Sequence, residues 1–335
     1  MSNSKLMRSP TDDVNQSFFS KANMYIQTHT SLMAVIIAAL LLIATFIINP
    51  NSCNKLFFGN IILLTIILSI PAAGQTMVLI GGGMDFGVGA VMSATAVLTT
   101  YTMKGENGHF ITVFVLSMII GAAVGLLNGI CSVKIGLPAM IVTMAISNIV
   151  TRMQYLLTQG ILSGKASSAL TSTVTYRIGG VIPAIIMYAA IIWPLTFFIL
   201  NKSRYGKQLY LVGNNSAAAN LTGVRVNRVK ILSYVFSGML AAFAGIIGAA
   251  YMSTARCQIF DGYAYDSLIA VIIGGTTFAG GSGSYAGSIA GSLVMVLLSN
   301  LLTALMLSQP MRNILNAVIM ILLLMLYNRG KSVRQ

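Results

Sequence analysis

Asp85 is the side chain best placed to do chemistry in this sequence, because it stands alone among glycines in an apolar context. Residues 81–89 read GGGMDFGVG, with five glycines around this one acid. Glycine lets a helix break, and a broken helix exposes backbone amides and carbonyls to a polar cavity. A carboxylate is costly in lipid, so Asp85 should face protein, water or a partner donor. Two interpretations stay open: Asp85 caps a helix that starts at Phe86, or it lies on a solute pathway.

Motifs for catalysis and nucleotide binding are missing from the sequence. It has no Gly-x4-Gly-Lys-Ser/Thr phosphate loop, so we do not expect it to bind ATP in the usual manner. It has neither G-x-S-x-G nor H-E-x-x-H, and His29 and His109 are isolated near the ends of apolar runs. Cys53, Cys131 and Cys257 lack the spacing of metal ligands. We therefore predict no catalytic residue, no metal site and no cofactor.

Small residues at helical spacing indicate close packing elsewhere in the chain. Gly121-x-x-x-Gly125 places two glycines on one helical face, and Asn128 can form a hydrogen bond across that contact. The G-x-x-x-G pattern recurs at 287–291. Pro138, at the start of another apolar run, fits the first turn of a helix. These positions predict helix packing rather than ligand binding.

The elements that must position these residues are membrane helices. Of the 335 residues, 56% are hydrophobic and 8% are charged, and the mean hydropathy is +0.84. Several uninterrupted apolar runs are about 18 to 22 residues long, the length that crosses a hydrocarbon layer of about 30 Å. No water satisfies backbone amides at that depth, so these runs must be helices. We predict an all-α, polytopic transmembrane helical bundle.

About ten spans are expected from the apolar runs between charges and turn signals. They lie near 32–49, 60–80, 86–103, 110–131, 137–158, 179–200, 231–252, 285–307 and 313–327, with a shorter run at 267–275. The short run is interpreted as a crossing or deeply re-entrant segment, because surrounding protein can satisfy its backbone.

Basic residues set the expected orientation. The net charge of +14 could suggest a nucleic-acid partner, but the 20 Lys and Arg fall in short clusters between apolar runs, as topology-setting charges do. With a cytosolic N-terminus and ten crossings, about 13 basic residues lie inside and about 7 outside. We therefore expect no nucleic-acid partner, both termini in the cytosol, tails at 1–31 and 328–335, and a transmembrane domain at 32–327.

One internal similarity bears on the architecture. Residues 80–86 (IGGGMDF) and 273–278 (IGGTTF) match with a one-residue gap, and each stretch precedes a span rich in small residues. Two same-direction repeats, about 190 residues apart, would produce such a match. Chance is the alternative, because the chain has 32 glycines.

The stretch 201–230 is polar, basic and long enough to form a short helix across the membrane face. Its basic residues are Lys202, Arg204, Lys207, Arg225, Arg228 and Lys230. Residues 213–221 (GNNSAAANL) predict a turn, a capping residue and a small-residue helix that ends at Gly223. Such a helix can dock in a groove of a cytosolic partner. The alternative is a plain solvated loop held inside by its charges.

These motifs occur in an order that covers roughly residues 60 to 330. It runs through Gly82–Gly89, Gly125–Gly129, Pro138 with Ile141–Thr143, Arg204–Gly206, Gly213–Gly223, Ser237-Gly238, Ala244-Gly245, Asp266, and Gly274-Gly275 to Gly280-Gly281. In this order the chain resembles the permease subunits of ribose-, galactose- and xylose-type bacterial ABC importers, a family that also includes autoinducer-2 permeases.

The resemblance implies roles for particular residues. A coupling helix that binds the ATPase falls on 213–223, and the coupling residues would be Arg204, Gly206, Gly213, Asn214, Ala217, Ala218 and Gly223. The pathway or gate would include Gly82, Gly83, Asp85, Asn128, Asp266, Gly274 and Gly275. The sequence departs from the family pattern at Ala264, where an acid is usual, at Ala139, where Phe is usual, and at Met84-Asp85-Phe86, where Ile-Asp-Leu is usual.

The resemblance also implies partners and a mechanism. The expected function is import of a monosaccharide or similar small polar solute across the inner membrane by alternating access. The expected partners are a second permease subunit, identical or not, a cytosolic ABC ATPase, a periplasmic or lipid-anchored sugar-binding protein, and the lipid bilayer. The alternative is an ion-gradient-driven secondary transporter, which typically buries ionisable residues; only Asp85 and Asp266 qualify here.

Overall fold

Long apolar runs fold as helices in the computed structural model, which describes residues 30–48, 50, 54–160, 164–308, 310–315, 317–319 and 321. The helices before residue 176 are α1 (Thr30–Ile48), α2 (Lys55–Ile80), α3 (Val88–Met103), α4 (Phe110–Gly129), α5 (Ala139–Thr158) and the short α6 (Ser168–Thr175). Those after it are α7 (Ile186–Asn201), α8 (Arg204–Asn214), α9 (Ser216–Leu221), α10 (Val226–Met252), α11 (Tyr263–Ile273) and α12 (Tyr285–Ala304). The prediction of an all-α bundle is confirmed.

Length and composition identify the helices that can cross a membrane. In the described part of the chain, five helical runs qualify unaided: Lys55–Ile80, Asn107–Lys134, Ala139–Thr158, Val226–Met252 and Tyr285–Ala304. The pair α7 and α8 qualifies together but bends by 60°. Shorter apolar helices lie at Met33–Ile48, Val88–Met103 and Tyr263–Ile273. Each predicted span therefore has a helix, except 313–327, which lies partly outside the described residues.

Helix α10 lies at the centre of the bundle, packed against α2, α3 and α4. Its small residues let α4 approach closely: a Cβ on Gly121 would strike the carbonyl of Gly238, and a Cβ on Gly238 would strike that of Gly121. A Cβ on Gly125 would strike the carbonyl of Tyr234. The predicted small-residue face on α4 is confirmed.

A second group of helices, α1, α11 and α12, packs on the other side of α2. Helices α11 and α12 form an antiparallel hairpin in which Gly287 lies against Gly274 and Gly291 lies against the carbonyl of Ala270. The G-x-x-x-G pattern at 287–291 therefore permits close packing, as predicted.

Helix α11 covers only part of the membrane depth. Its 11 residues span about 16 Å, roughly half of a hydrocarbon layer. In the loop before it, Phe260 lies against Gly248 of α10, and the carbonyl of Asp261 lies against Gly89 of α3. The chain thus folds back into the bundle before α11 begins, which fits the re-entrant interpretation of the short run.

The predicted helix 179–200 starts too early and is corrected by the structure. Strands β1 (Arg177–Ile178) and β2 (Ile182–Pro183) form an antiparallel hairpin there, and α7 begins only at Ile186. Gly179 and Gly180 both have positive φ, at 62° and 73°, a conformation that suits a turn and not a helix. Pro138 was expected in the first turn of a helix, but it lies one residue earlier, at the N-cap of α5.

Candidate functional site

Helix α2 ends in a tight turn at Gly81–Gly83, the first of two glycine turns in the bundle. The amide of Gly83 donates to the carbonyl of Val78 at 2.9 Å, and the amide of Gly82 donates to that of Leu79 at 2.9 Å. These two bonds define a Schellman motif, which needs a left-handed residue. Gly82 supplies it with φ of 77°.

Helix α11 ends in the same way at Gly274–Thr276, the second glycine turn. The amide of Thr276 donates to the carbonyl of Val271 at 3.1 Å, and Gly275 donates to Ile272 at 2.9 Å. Gly275 takes the left-handed position with φ of 90°. The sequence similarity between 80–86 and 273–278 therefore reflects two turns of the same backbone geometry.

The two turns lie side by side. The amide of Gly281, in the loop that follows the second turn, donates to the carbonyl of Ile80 at 2.9 Å. A Cβ on Gly280 would lie 3.1 Å from the Cα of Gly82. The helices beyond the turns differ, because α12 folds back on α11 whereas α3 packs mainly against α10. The similarity is thus local to the turns.

Asp85 lies in the non-helical segment between α2 and α3 and is 2% exposed. Its Oδ1 accepts from the amide of Gly87 at 2.9 Å and from Nδ2 of Asn128 at 3.1 Å, and its Oδ2 accepts from the hydroxyl of Ser237 at 2.8 Å. The bond to Gly87 closes a turn just before α3, which begins at Val88 with Gly87 at its N-cap and no side-chain cap. The interpretation that Asp85 caps a helix starting at Phe86 is therefore wrong. The other two bonds join this segment to α4 and α10.

Two more helices hold the same segment. Nε2 of Gln75 in α2 donates to the carbonyl of Asp85 at 2.5 Å, and the amide of Phe86 donates to the hydroxyl of Thr143 in α5 at 3.1 Å. The segment 84–87 is therefore bonded to side chains from α2, α4, α5 and α10. A shift of any one of these helices must change the environment of Asp85.

Two buried acceptor atoms near Asp85 have no hydrogen-bond donor among the described residues. Within the described residues, Oε1 of Gln75 and Oδ1 of Asn128 are buried without a hydrogen-bond partner. An unpaired buried acceptor costs about 1 to 3 kcal/mol. These two oxygens can therefore accept from a water, a solute hydroxyl or a rearranged donor.

A cavity of about 280 Å³ lies next to the first turn. Gly82, Asn227, Lys230 and Tyr234 are among the residues that line it. Ser132, on the π-helical turn Ile130–Lys134 after α4, also lines it, and its buried hydroxyl has no partner in the described part of the chain. The cavity wall combines one ammonium group with several neutral donors, so it suits a polar solute or water.

The basic stretch folds as two helices. Ser203 caps α8 by accepting from the amide of Gly206 at 3.0 Å. Asn215 caps α9 by accepting from the amides of Ala217 and Ala218, both at 3.0 Å. Gly223 follows α9 with φ of 82°. The predicted cap, small-residue helix and terminal glycine are present, and a plain solvated loop is excluded. The predicted turn at Gly213-Asn214 is wrong, because both residues belong to the last turn of α8.

Helix α8 lies directly against both glycine turns. A Cβ on Gly213 would strike the carbonyl of Ile80 and would lie 2.5 Å from the amide nitrogen of Gly281. The hydroxyl of Tyr210 donates to the carbonyl of Gly283 at 2.8 Å. On its buried side α8 contributes Leu209 to an apolar cluster. The end of α8 is thus fixed to the ends of α2 and α11.

Helix α9 projects away from this contact. Ala217 and Ala218 are exposed, and Leu221 is 89% exposed, whereas Ala219 is buried against the bundle. The exposed side of α9 therefore presents two small side chains and one large apolar side chain.

Comparison with known proteins places the chain in a family. Residues 57–324 match the model of the family described as "Branched-chain amino acid transport system / permease component". The chain belongs to this permease family. It is a multi-pass membrane protein, and its relatives are transport permeases rather than enzymes.

Several curated relatives match this permease over most of their length. It is 29% identical to the ribose import permease protein RbsC of Escherichia coli (strain K12) over 318 residues, 93% of this chain and 96% of the relative. It is 29% identical to the Bacillus subtilis (strain 168) RbsC over 74% of this chain and 77% of that protein. It is 29% identical to the galactose/methyl galactoside import permease protein MglC of Haemophilus influenzae over 71% of this chain and 76% of that protein. No solved structure matches the permease.

The expected pathway residues fall into separate places in the permease. Asp85 and Asn128 are in direct contact, and Gly82, Gly83, Gly274 and Gly275 form the two turns. Asp266 lies in the first turn of α11, eight residues or about 12 Å along the helix from Gly274. Its neighbour Tyr265 packs on Phe86, with ring centroids 5.6 Å apart.

The expected coupling residues divide between exposed and buried positions. Asn214, Ala217, Ala218 and Gly223 are exposed, as is Arg204 at the start of α8. Gly206 is buried at the corner between α7 and α8, where a Cβ would strike the carbonyl of Leu200. Gly206 and Gly213 therefore shape the helix corner and the turn contact, whereas the exposed group faces outward.

Sequence reasoning missed three residues of the Asp85 site and one of the α9 face. Gln75 is a polar side chain inside an apolar run, which is a signal for an internal hydrogen bond. Ser237 and Thr143 appeared only as parts of the family motif order. Leu221 carried no signal, because its exposure depends on how α9 lies against the bundle.

Proposed function

We propose that this permease is the membrane-spanning subunit of an ATP-binding-cassette importer. It moves a monosaccharide or similar small polar solute across the bacterial inner membrane by alternating access, and separate ATPase subunits power it. The chain itself hydrolyses nothing. Its work is to convert movement of a bound ATPase into movement of membrane helices.

The contact between α8 and the two glycine turns is the observation that carries this proposal. A force on α9 is transmitted through Asn215 to the end of α8, and from there to the carbonyl of Ile80 and the loop at Gly281. The segment that follows Ile80 carries Asp85, which is bonded to α4 and α10. Displacement of α9 therefore reaches the centre of the bundle through contiguous contacts.

The cargo is proposed from the relatives. The family description names branched-chain amino acids, but several of the curated relatives matched over 71% to 93% of this chain are named for ribose or galactose import. The neutral donors and acceptors around Asp85 and the neighbouring cavity suit hydroxyl groups. Selection of one sugar would rest on the binding protein, with this subunit offering a weakly binding polar path.

The partners and orientation follow from the same proposal. We expect a second permease subunit, a cytosolic ABC ATPase on the face of 201–230, and a periplasmic or lipid-anchored sugar-binding protein on the opposite face. Both termini, 1–31 and 328–335, would lie in the cytosol around a permease domain at 32–327. The basic residues of 201–230 favour a cytosolic position.

An ion-gradient-driven transporter is the competing function. It needs an ionisable group that changes its proton or ion during transport. The carboxylate of Asp85 instead accepts three hydrogen bonds from neutral donors and lies at a junction of helices. Uptake that collapses on ATP depletion and survives an uncoupler supports the importer; the reverse pattern supports the competitor.

Substitution of Leu221 tests the coupling role. Leu221→Asp places a charge at the exposed end of α9 without touching the bundle, so the permease should insert normally but lose its ATPase. Copurification of a coexpressed ATPase should fall at least tenfold. Met306→Asp is the matched control, because Met306 is 94% exposed and follows α12 at the far end from its glycine turn. Equal ATPase recovery from both variants would remove the coupling assignment.

A further inference from the structure

An apolar groove separates α7 from α12. It has a volume of about 620 Å³, and Trp193, Phe197 and Phe198 of α7 form one wall. Phe197 and Phe198 are 51% and 60% exposed. Ala286 and Ile289 lie on the α12 wall. Because α7 is part of a membrane-spanning pair, such a groove is filled by something apolar.

The polar groups of the groove are bonded inward. The indole N–H of Trp193 donates to the hydroxyl of Ser69 at 3.0 Å, and the hydroxyl of Tyr285 donates to the carbonyl of Ser69 at 3.0 Å. Both rings are therefore held in place by α2. These two rings therefore offer faces and edges to the groove rather than hydrogen bonds.

One end of the groove carries a positive charge. Lys202 lines it at the bend between α7 and α8 and is exposed. The sequence has no Asp or Glu between Glu106 and Asp261, so every formal charge on α7, α8 and the bend between them is positive. An anionic group at this end of the groove would therefore meet an attractive charge.

We propose that this groove binds one anionic phospholipid of the leaflet that faces the 201–230 segment. The phosphate pairs with Lys202, and an acyl chain lies along Phe197, Phe198 and Ile289. Lysine side chains place their charge at headgroup depth while their methylenes stay in apolar surroundings. Basic pockets between membrane helices recognise anionic headgroups in this way.

The site has a consequence for the coupling movement. Lys202 is at the 60° bend that sets the direction of α8, and α8 contacts both glycine turns. A lipid held between α7 and α12 therefore stabilises one position of that bend. This consequence rests on the proposed function, but the binding of the lipid does not.

Native mass spectrometry of the full-length protein tests the lipid site. The detergent-purified permease is titrated with dioleoylphosphatidylglycerol or with dioleoylphosphatidylcholine. The wild type should bind the anionic phosphatidylglycerol more tightly than the zwitterionic phosphatidylcholine. Lys202→Gln should weaken the binding of phosphatidylglycerol about fivefold, the effect of one basic residue near an anionic surface.

Lys207→Gln is the matched control, since Lys207 is exposed on α8 and does not line the groove. Equal losses in both variants would overturn the proposal.

A second pair of variants tests the apolar part of the groove. Ala286→Trp fills the groove, whereas Ala123→Trp adds the same ring to an exposed position of α4. Only Ala286→Trp should lower lipid binding.

Photocrosslinking identifies the occupant of the groove. A photoreactive phenylalanine analogue in place of Phe198 should capture lipid in native membranes. Capture of a second permease copy, or of residues 1–29 or 322–335 of the same chain, would show a different occupant and overturn the proposal.

Discussion

At the residue scale, the Asp85 carboxylate stands out because its partners come from distant parts of the chain. Ser237 is 152 positions away, and Asn128 is 43 positions away. Hydrogen bonds to a charged group contribute about 1.5 to 3 kcal/mol each. Asp85 therefore joins α3, α4 and α10 at one point, and its substitution should affect both stability and transport.

Asp85→Asn is the sharpest change at this scale. The amide nitrogen cannot accept from the Ser237 hydroxyl, so one charge-assisted bond is lost and the free energy of unfolding should fall by about 1.5 to 3 kcal/mol. If Asp85 also belongs to the gate, sugar uptake per folded molecule should fall at least tenfold. Thermal melting in detergent and uptake in proteoliposomes measure the two effects.

Glu106→Gln is the control for that experiment, because it makes the same acid-to-amide change at an exposed position. It should leave both the melting temperature and uptake near wild-type values. If Asp85→Asn lowers the melting temperature but leaves uptake per folded molecule unchanged, the carboxylate only holds the helices together and the gate assignment is wrong.

At the scale of elements, close contact between α4 and α10 decides the packing of the central bundle. Gly121 and Gly238 lie so near one another that neither position has room for a Cβ. Lipid gives no hydrophobic force between helices, so such backbone contact is the main source of association. The sequence pattern predicted the face on α4 but not its partner.

Gly125→Leu tests this contact. A side chain at residue 125 would strike the carbonyl of Tyr234, so α4 must move away from α10. Overpacking of this kind costs about 1 to 3 kcal/mol or more. We expect a lower melting temperature and a loss of monodisperse protein on size-exclusion chromatography. Gly108→Leu, where no atom lies within 4 Å of the added Cβ, should behave like the wild type; equal behaviour of the two variants would contradict the packing role.

At the scale of the whole molecule, orientation links the helices to the proposed partners. The face of α8 and α9 must be cytosolic if an ATPase binds there. The 3-10 turn Asn107–His109 lies at the far end of α4 from the Asp85 site and should then face outward. The structure gives the relative positions of these faces, and the distribution of basic residues predicts which side each occupies.

Cysteine labelling of intact cells tests the orientation. In a variant with Cys53, Cys131 and Cys257 replaced by Ser, a cysteine at exposed Gly108 should react with a membrane-impermeant maleimide, and one at exposed Thr222 should react only after lysis. The opposite pattern would reverse the topology and remove the cytosolic ATPase site.

Local features were predictable from the sequence because short-range forces determine them. Apolar runs of membrane length must be helical, since lipid cannot satisfy a bare backbone. The turns at Gly82 and Gly275 and the cap at Asn215 depend on neighbours within a few residues. The family resemblance added an order of motifs to these local predictions.

The tertiary structure alone decided which of these features meet. Nothing local pairs Ser237 with Asp85, places Gly213 on both glycine turns, or leaves a groove between α7 and α12. The hairpin at 177–183 also replaced a predicted helical turn. Such contacts depend on how whole helices pack, and many pairings of similar apolar faces are compatible with the same local pattern. Asp85 was therefore recognisable from its sequence surroundings, but the helices that it joins were not.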